Sequence, residues 1–278
     1  MCNEPQKIIN FVIEIYQTLY KPYTVKVTFL GTGTSLGVPI VGCNCAVCRS
    51  ADPHDKRLRS SVLVEIDGRS IVIDTGPDFR QQCLAYNIQH IDALLITHPH
   101  RDHLAGLDDI RPFCYIQQQD IPVYASNFTC NAIRHDFAYC FAEPKYPGVP
   151  DIALHELDYY KPLDVLGIEI TPFPVMHAQM VATAYRIGDF TYITDASSIP
   201  EQSLKAIEGT ETLVVNALRK EHPHPAHFIL PQALDLIAHI APREAYITHI
   251  SHDIPHAATQ QELPENVHLA YDGLVLDL

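Results

Sequence analysis

The stretch ALLITHPHRDHLAGLDD, residues 93–109, places four side chains of metal-binding type directly after a hydrophobic strand. His98 and His100 alternate along an extended segment, so their imidazoles project to the same side. The turn into the next helix brings Asp102 and His103 round beside them. Four ligands so close along the chain suit two ions of the zinc type better than one, because they cannot easily converge on a single tetrahedral ion.

The composition limits the partners that this chain can have. Its 278 residues fit one large domain or two small ones, and 19 basic against 33 acidic residues give a formal net charge of −14. That balance argues against sequence-independent capture of nucleic acid, which needs a basic face. Bound metal ions would still supply a local positive field for an anion. We therefore expect a small-molecule substrate and no nucleic acid.

The N-terminal segment MCNEPQKIINFVIEIYQTLYKPY has a short apolar part that contains Glu14. No small-residue cleavage site follows it, and the chain has no apolar run of about 20 residues, so we predict neither a signal peptide nor contact with a membrane. A cytoplasmic location with reduced cysteines follows. Residues 1–24 are predicted to be a helical extension. An oligomer contact, such as that of a homodimer, a packing helix and an over-extended start all remain open for it.

Residues 25–278 are predicted to be one domain. Hydrophobic strands such as TVKVTFL, SVLVEI, TLVVNAL and EAYITH alternate with helices, which indicates an α/β or α+β fold with helices covering sheets. No internal repeat, low-complexity tract or linker divides this region.

A second cluster, GCNCAVC at residues 42–48, brings Cys43, Cys45 and Cys48 within six positions. Neighbouring cysteines rarely meet disulfide geometry, so a shared ion is the better interpretation. A Cys-x-Cys-x-x-Cys knuckle leaves one tetrahedral corner for a fourth ligand, as in Cys₃His zinc sites.

The order of the motifs resembles the metallo-β-lactamase superfamily. Asp74 in DTG comes first, then HPHRDH, His177 in PVMHA, Asp195 in ITDAS and His249 in ITHISH, each at a strand end. The resemblance implies an α+β fold, an αββα four-layer sandwich with the site at the edge of two facing sheets.

The resemblance also implies the roles of these residues around two divalent ions, zinc or manganese. His98, His100 and His177 would bind the first ion, and Asp102, His103 and His249 the second. Asp195 would bridge the two ions and act in catalysis, together with a bridging hydroxide. Asp74 would orient a ligand.

Within the superfamily, the knuckle is similar to that of the phosphoribosyl cyclic phosphate phosphodiesterases of phosphonate breakdown. That branch has a structural zinc held by the three cysteines and a histidine three residues after the last catalytic ligand. Carried over, the ligands of one structural zinc are Cys43, Cys45, Cys48 and His252. A closed shell of this kind is structural because no corner is left for water.

The segment NALRKEHPHPAHF, residues 216–228, holds three further histidines. The same branch has a histidine near the scissile phosphate ahead of a helix, and His227 matches it as a general acid or phosphate contact. His222 and His224 are interpreted as plain loop residues. Arg219, Arg57 and Arg59 are candidates for anion binding, with structural ion pairs as the alternative.

The implied function is metal-dependent hydrolysis of a small phosphodiester, such as a cyclic sugar phosphate, by the bridging hydroxide. Other classes remain open: a ribonuclease Z-like tRNA-processing nuclease, a lactonase or thioesterase that attacks a carbonyl, and a metalloprotein that keeps its ligands for stability alone. The chain has no obvious basic arm to grip tRNA, and a shared scaffold does not fix the reaction.

Overall fold

The computed structural model describes residues 25–278, and the predicted helical extension, residues 1–24, lies outside the described residues. No helix within residues 25–278 is long and apolar enough to cross a membrane.

Within residues 25–278, fourteen strands form two seven-stranded sheets. The first sheet contains β1 (Val25–Gly31), β2 (Ser61–Ile66), β3 (Arg69–Ile73), β4 (Ala93–Leu95), β5 (Ile121–Ala125), β6 (Ile152–Glu156) and β14 (Val275–Asp277). Their order is β14-β1-β2-β3-β4-β5-β6. Pairing is antiparallel from β14 to β3 and parallel from β3 to β6.

The second sheet has the same division into an antiparallel and a parallel half. It contains β7 (Leu163–Val165), β8 (Ile168–His177), β9 (Met180–Ile187), β10 (Phe190–Tyr192), β11 (Thr212–Asn216), β12 (Glu244–Thr248) and β13 (Val267–Leu269). The order is β13-β12-β11-β10-β9-β8-β7. Strands β10 to β13 pair in parallel, and β7 to β10 are antiparallel.

Helices connect the parallel strands and cover the outer faces of the sheets. They are α1 (Phe79–Ala85), α2 (Arg101–Leu104), α3 (Arg111–Gln117), α4 (Asn127–Asp136), α5 (Glu201–Ile207), α6 (Leu230–Ile240) and α7 (His256–Gln260). Short 3₁₀ turns lie at Pro53–Asp55, Leu107–Ile110 and Ala138–Cys140. The start of α4 follows its sequence, because the Ser126 hydroxyl accepts the Thr129 amide at 3.3 Å as an N-cap.

Three separate hydrophobic clusters fill the three interfaces between four layers. Phe29 and Ile71 of the first sheet meet Tyr185 and Tyr192 of the second in the central cluster. Strand β2 shows how the pleat divides the side chains: Val62, Val64 and Ile66 face the central cluster, whereas Leu63 faces the outer one. A third cluster joins the second sheet to α6. The predicted α+β, αββα sandwich is confirmed.

The fold carries the predicted site residues to one edge of the sandwich. Asp74 follows β3, and Asp195 and His249 follow β10 and β12, while His177 is the last residue of β8. Because the carboxyl ends of parallel strands share an edge, loops from both sheets meet there. The sequence positions of these motifs at strand ends therefore become spatial neighbours.

Two glycines allow the site loops to approach each other. A Cβ on Gly76 would lie 2.1 Å from the Asp102 carbonyl oxygen, and one on Gly106 would lie 2.1 Å from the Gly76 carbonyl oxygen. Between them, the Thr75 amide donates to the His103 carbonyl at 2.8 Å. The loop after β3 can thus pack directly on α2 only where a side chain is missing.

Candidate metal centre

Seven side chains predicted from the sequence converge at the sheet edge. They form two groups that share one residue, and within each group the possible ligand atoms lie within 4.8 Å of one another. The first group is His98, His100, His177 and Asp195, and the second is Asp102, His103, Asp195 and His249. All but His100 and Asp102 are buried.

Three residues of this region have left-handed backbone conformations. The φ angles of Asp74, Asp195 and His249 are 65°, 53° and 55°, and each residue lies within three positions after the end of a strand. Outside glycine, this region is uncommon and costs about 1–3 kcal/mol per residue, and such strain concentrates at functional sites. This conformation turns the backbone sharply at each of the three residues, so that the side chain points across the sheet edge.

The donor atoms of the first group are spaced as neighbours in a tetrahedral shell. The distances are 3.2 Å from His100 Nδ1 to His177 Nε2 and 3.5 and 3.7 Å from Asp195 Oδ2 to His98 Nε2 and His177 Nε2. An ion with bonds of about 2.1 Å to tetrahedral donors would separate them by about 3.4 Å.

The second group has the same spacing around the other oxygen of Asp195. Oδ1 lies 3.4 Å from His103 Nε2 and 3.1 Å from His249 Nε2. Asp102 Oδ2 lies 3.3 and 3.6 Å from the same two nitrogens. The carboxylate of Asp195 therefore offers one oxygen to each group.

Hydrogen bonds on the far side of the imidazoles fix which nitrogen faces the centre. His103 Nδ1 donates to Asp74 Oδ2 at 2.7 Å. The hydroxyl of Thr97 donates to the same oxygen at 2.8 Å, which leaves it to accept from His98 Nδ1 at 2.9 Å. Because each Nδ1 is engaged in this way, Nε2 is the nitrogen of each ring that faces the cluster. Asp74 lies behind His103, where the sequence analysis expects an orienting residue.

His177 is fixed in the same manner by the backbone of another loop. Its Nδ1 donates to the Ala226 carbonyl at 2.7 Å, so Nε2 is the unprotonated atom. The residue after Asp195 is clamped by Asn216, whose side chain accepts the Ala196 amide at 2.7 Å and donates to its carbonyl at 3.0 Å.

Polar atoms in the centre that lack hydrogen-bond partners test the fit to metal ions. The Nε2 atoms of His98, His103 and His249 are buried and have no hydrogen-bond partner. Buried polar atoms of this kind are costly unless something binds them. Imidazole and carboxylate are the donor types that zinc and related divalent ions prefer. The residues therefore fit divalent ions.

The electrostatics of the centre follow from burying acids and bases together. Burial alone would lower the pKa of His103, but Asp195, Asp102 and Asp74 hold it well above the usual range. Burial alone would raise the pKa of Asp195, but His249 and His103 hold it well below. The Asp195 carboxylate is thus anionic at neutral pH, which is the state that binds cations.

The cysteine knuckle forms a separate group with His252. Its three Sγ atoms, those of Cys43, Cys45 and Cys48, each lie 3.4 Å from His252 Nδ1. Backbone donation from Cys48 is the largest effect that lowers the pKa of the Cys45 thiol to about 7. Three sulfurs and one nitrogen at such distances fit a tetrahedral zinc shell.

His227 lies against the centre. Its ring centroid is 4.7 Å from that of His177 and 4.8 Å from that of His249, and its Nδ1 lies 4.0 Å from Asp195 Oδ2. Burial, with His249 nearby, lowers the pKa of His227 to about 3. A neutral imidazole favours a phosphate contact over a general acid.

The structure gives the three candidate arginines partners within the chain. Arg57 is buried and donates to Thr32 Oγ1 at 2.7 Å and the Ala270 carbonyl at 2.5 Å. Arg59 pairs with Asp78 at 3.0 Å, and Arg219 holds two carbonyls of its own loop. Arg59 therefore forms a structural ion pair, whereas Arg57 is held by hydrogen bonds within the fold.

Two contributors to the centre, Thr97 and His224, were not predicted from the sequence. Thr97 links His98 to Asp74, and His224, interpreted as a plain loop residue, lies with its ring centroid 5.0 Å from that of His227. The three-residue spacing between His224 and His227 was the available signal.

Comparison with known proteins places this site in a family. The family described as "Beta-lactamase superfamily domain" matches residues 69–250, more than half of the chain. The chain belongs to the β-lactamase superfamily. The matched segment contains all seven residues of the two groups, whereas the cysteine knuckle and His252 lie outside it.

Solved structures of the superfamily extend the match to the rest of the fold. The chain is 41% identical to a diphosphatase of the PhnP family, with a TM-score of 0.86 over 92% of this chain and 97% of that one. This places the chain in the PhnP-like branch. Zinc-bound PqqB from Methylobacterium extorquens, 21% identical with a TM-score of 0.75, covers 91% of this chain and 100% of its own, and shares the fold.

Curated relatives match only in part. An octanoyltransferase of Porphyromonas gingivalis is 40% identical over 247 residues, which is 88% of this chain and 50% of the relative. The chain spans about half the length of the curated relatives it matches.

Proposed function

We propose that this protein is a dinuclear metal-dependent hydrolase of small phosphodiesters, such as cyclic sugar phosphates. The observation that carries the proposal is the division of the Asp195 carboxylate, one oxygen facing each group of ligands. Two divalent ions held there would supply charge stabilisation for a phosphoryl group and an activated water.

Side chains and backbone groups of the protein orient the ligands of the two ions. Asp74 and Thr97 hold the imidazoles of His103 and His98 with Nε2 inward, and Ala226 does the same for His177. His227 is 11% exposed and offers a neutral imidazole beside the first group, within reach of a phosphoryl oxygen. The knuckle would hold a structural zinc that ties residues 43–48 to the loop of His249.

A diphosphate ester is the second candidate substrate. The support is the 41% identity to a PhnP-family diphosphatase, over 97% of that protein. Both candidates present a phosphoryl centre with an oxygen leaving group, and both are small molecules. The net charge of −14 speaks against tRNA, the substrate of the nuclease alternative.

A panel of substrates tests the reaction class. Protein loaded with zinc or with manganese is assayed on ribose 1,2-cyclic phosphate, a dinucleoside diphosphate, a lactone and an acyl thioester. We expect turnover of a phosphorus ester and none of the acyl substrates, with loss of turnover in His98→Ala. Hydrolysis of acyl substrates alone would overturn the proposal.

A further inference from the structure

The loop of residues 219–228, called here the histidine loop, is built by its own arginine. Arg219 Nε donates to the His222 carbonyl at 2.7 Å, and Nη2 donates to the Pro223 carbonyl at 3.2 Å. Within the described part of the chain, Nη1 of Arg219 has no acceptor. The loop therefore carries a half-buried guanidinium with one face uncommitted.

His224 connects this loop to the candidate metal centre. Its Nδ1 accepts the Ala226 amide at 3.2 Å, and the Ala226 carbonyl accepts His177 Nδ1 at 2.7 Å. Because Nδ1 is an acceptor, neutral His224 must carry its proton on Nε2. The Nε2–H group is a hydrogen-bond donor that the loop geometry does not use.

The position of His224 is just outside that of His227. Its ring centroid lies 5.0 Å from that of His227, which in turn lies 4.8 Å from that of His249. His227 is 11% exposed, whereas His224 is half-buried at the rim. Arg219 Nη2 lies 3.2 Å from the carbonyl oxygen of Pro223, the residue directly before His224. A donor and a cation thus belong to the same short loop at the rim, one ring beyond the phosphate contact.

We propose that His224 and Arg219 form a subsite for a second phosphoryl group of the substrate. The inference rests on the proposed function, since it places the scissile phosphoryl group at His227. A planar guanidinium and an imidazole N–H are both good donors to phosphate oxygens. A diphosphate and a cyclic sugar phosphate with a further phosphate both provide the second group, and the test distinguishes them.

Two substitutions of His224 separate loop support from substrate binding. In His224→Asn, the side-chain oxygen lies where Nδ1 was and can still accept the Ala226 amide, but the Nε2 donor is lost. In His224→Gln, an amide N–H reaches the Nε2 position. His222→Asn, in the same loop, is the matched control, because its exposed side chain contacts nothing that the proposal uses and asparagine tolerates its φ of 62°.

The substrates are paired so that one member of each pair carries a second phosphate and the other does not. Ribose 1,2-cyclic phosphate is compared with its 5-phosphate, and bis(4-nitrophenyl) phosphate with a dinucleoside diphosphate. We expect His224→Asn to raise KM for the partner with two phosphates by roughly 10- to 100-fold, the range of a hydrogen bond to a charged group, and to leave the other within about 2-fold. His224→Gln should recover part of the loss.

Binding without turnover gives an independent readout. Calorimetry on metal-loaded protein should show that His224→Asn lowers the affinity for inorganic pyrophosphate by roughly 10-fold. The affinity for inorganic phosphate should change by less than about 2-fold. Equal losses for both members of each pair, or no loss, would overturn the subsite. If wild-type protein turns over no phosphorus ester, the proposed function fails, whereas the pyrophosphate comparison still decides the subsite.

Discussion

The residues of the candidate metal centre work in pairs, one facing the cluster and one behind it. Asp74 and Thr97 lie behind His103 and His98, and the Ala226 carbonyl lies behind His177. A ligand whose second nitrogen is fixed keeps one tautomer and one ring orientation, which raises its affinity for a cation. The outer partners are therefore the first residues to test.

Asp74→Asn should weaken metal binding at the second group. The amide cannot accept the His103 proton and the Thr97 hydroxyl as the carboxylate does, so the ring loses its fixed tautomer. We expect metal affinity or activity to fall by roughly 10- to 100-fold, measured by metal titration with a competing chelator. Asp67→Asn, on the exposed turn between β2 and β3, is the control. Unchanged affinity would remove the orienting role.

His227→Ala should slow the hydrolysis of alkyl and nitrophenyl phosphodiesters by the same factor. The imidazole is neutral because burial lowers its pKa to about 3, so it serves better as a hydrogen-bond donor than as a proton source. A loss of roughly 10- to 100-fold in kcat/KM is expected for both esters. A loss confined to the alkyl ester would show that His227 protonates the leaving group instead.

His256 should make stability depend on pH between about 4 and 6.5. Burial, with Arg57 beside it, lowers the pKa of His256 to about 4, and its Nδ1 accepts Arg57 Nη2 at 3.1 Å. Between these values the unfolded chain binds more protons, so this contribution is present above pH 6.5 and is lost as the pH falls to 4.

His256→Asn supplies an acceptor to Arg57 that does not titrate. The substitution should reduce the change in the free energy of unfolding between pH 4 and 6.5 by roughly 1–2 kcal/mol, allowing for screening by solvent. Urea unfolding at several pH values measures this change. The exposed His135→Asn is the control. The same slope in His256→Asn and wild type would contradict the assignment.

The elements that carry the site are loops tied to one another over long sequence distances. The knuckle at residues 43–48 meets His252, and Gly33, two residues after β1, forms an isolated bridge with Ile250, next to His249. Two widely separated segments thus support one wall of the candidate centre. A change in the knuckle is expected to act on that wall through Ser251 and Ile250.

Cys45→Ser should lose about one metal ion per chain and lower the thermal midpoint, because binding of a structural ion contributes directly to folding. His98→Ala should instead abolish activity with a smaller change in the midpoint. Metal content by mass spectrometry and thermal scans of both variants make the comparison. Equal metal content in Cys45→Ser and wild type would rule out a structural zinc.

Local sequence patterns predicted most elements and brought the strand-end motifs together. The strand TLVVNAL, for example, is correct at Thr212 but ends at Asn216, whose side chain bonds the backbone of Ala196. The long-range partners could not be predicted. Nothing near Arg57 in sequence shows that its acceptor is the carbonyl of Ala270, and nothing near His224 shows that Ala226 links it to His177.

At the scale of the whole molecule, the site depends on how the two sheets pack. Its residues come from the ends of β3, β8, β10 and β12, so the central cluster between the sheets sets the distance between the two halves of the centre. Disrupting the packing between the two sheets is therefore expected to disrupt the candidate metal centre as well.

Ile71→Ala should destabilise the protein globally. Ile71 is fully buried between the sheets, and truncating such a side chain costs about 2–5 kcal/mol. The midpoint of denaturant unfolding gives the measurement. Ile116→Ala, at a position that is 70% exposed, is the matched control and should change stability by less than about 0.5 kcal/mol. Similar effects of both substitutions would contradict the layered packing.

The left-handed backbone at Asp74, Asp195 and His249 restricts how this scaffold can diversify. A substitution there changes a donor atom and the backbone strain of a turn at once. A β-branched or bulky residue would therefore destabilise the turn, whatever ligand atom it offers. His100, by contrast, has an extended backbone with φ −61° and ψ 148°. A library that seeks a new metal preference should randomise His100 freely and offer the three turn positions only aspartate, asparagine, histidine and glycine. Under selection, changes in metal preference are expected to arise first by substitution of His100.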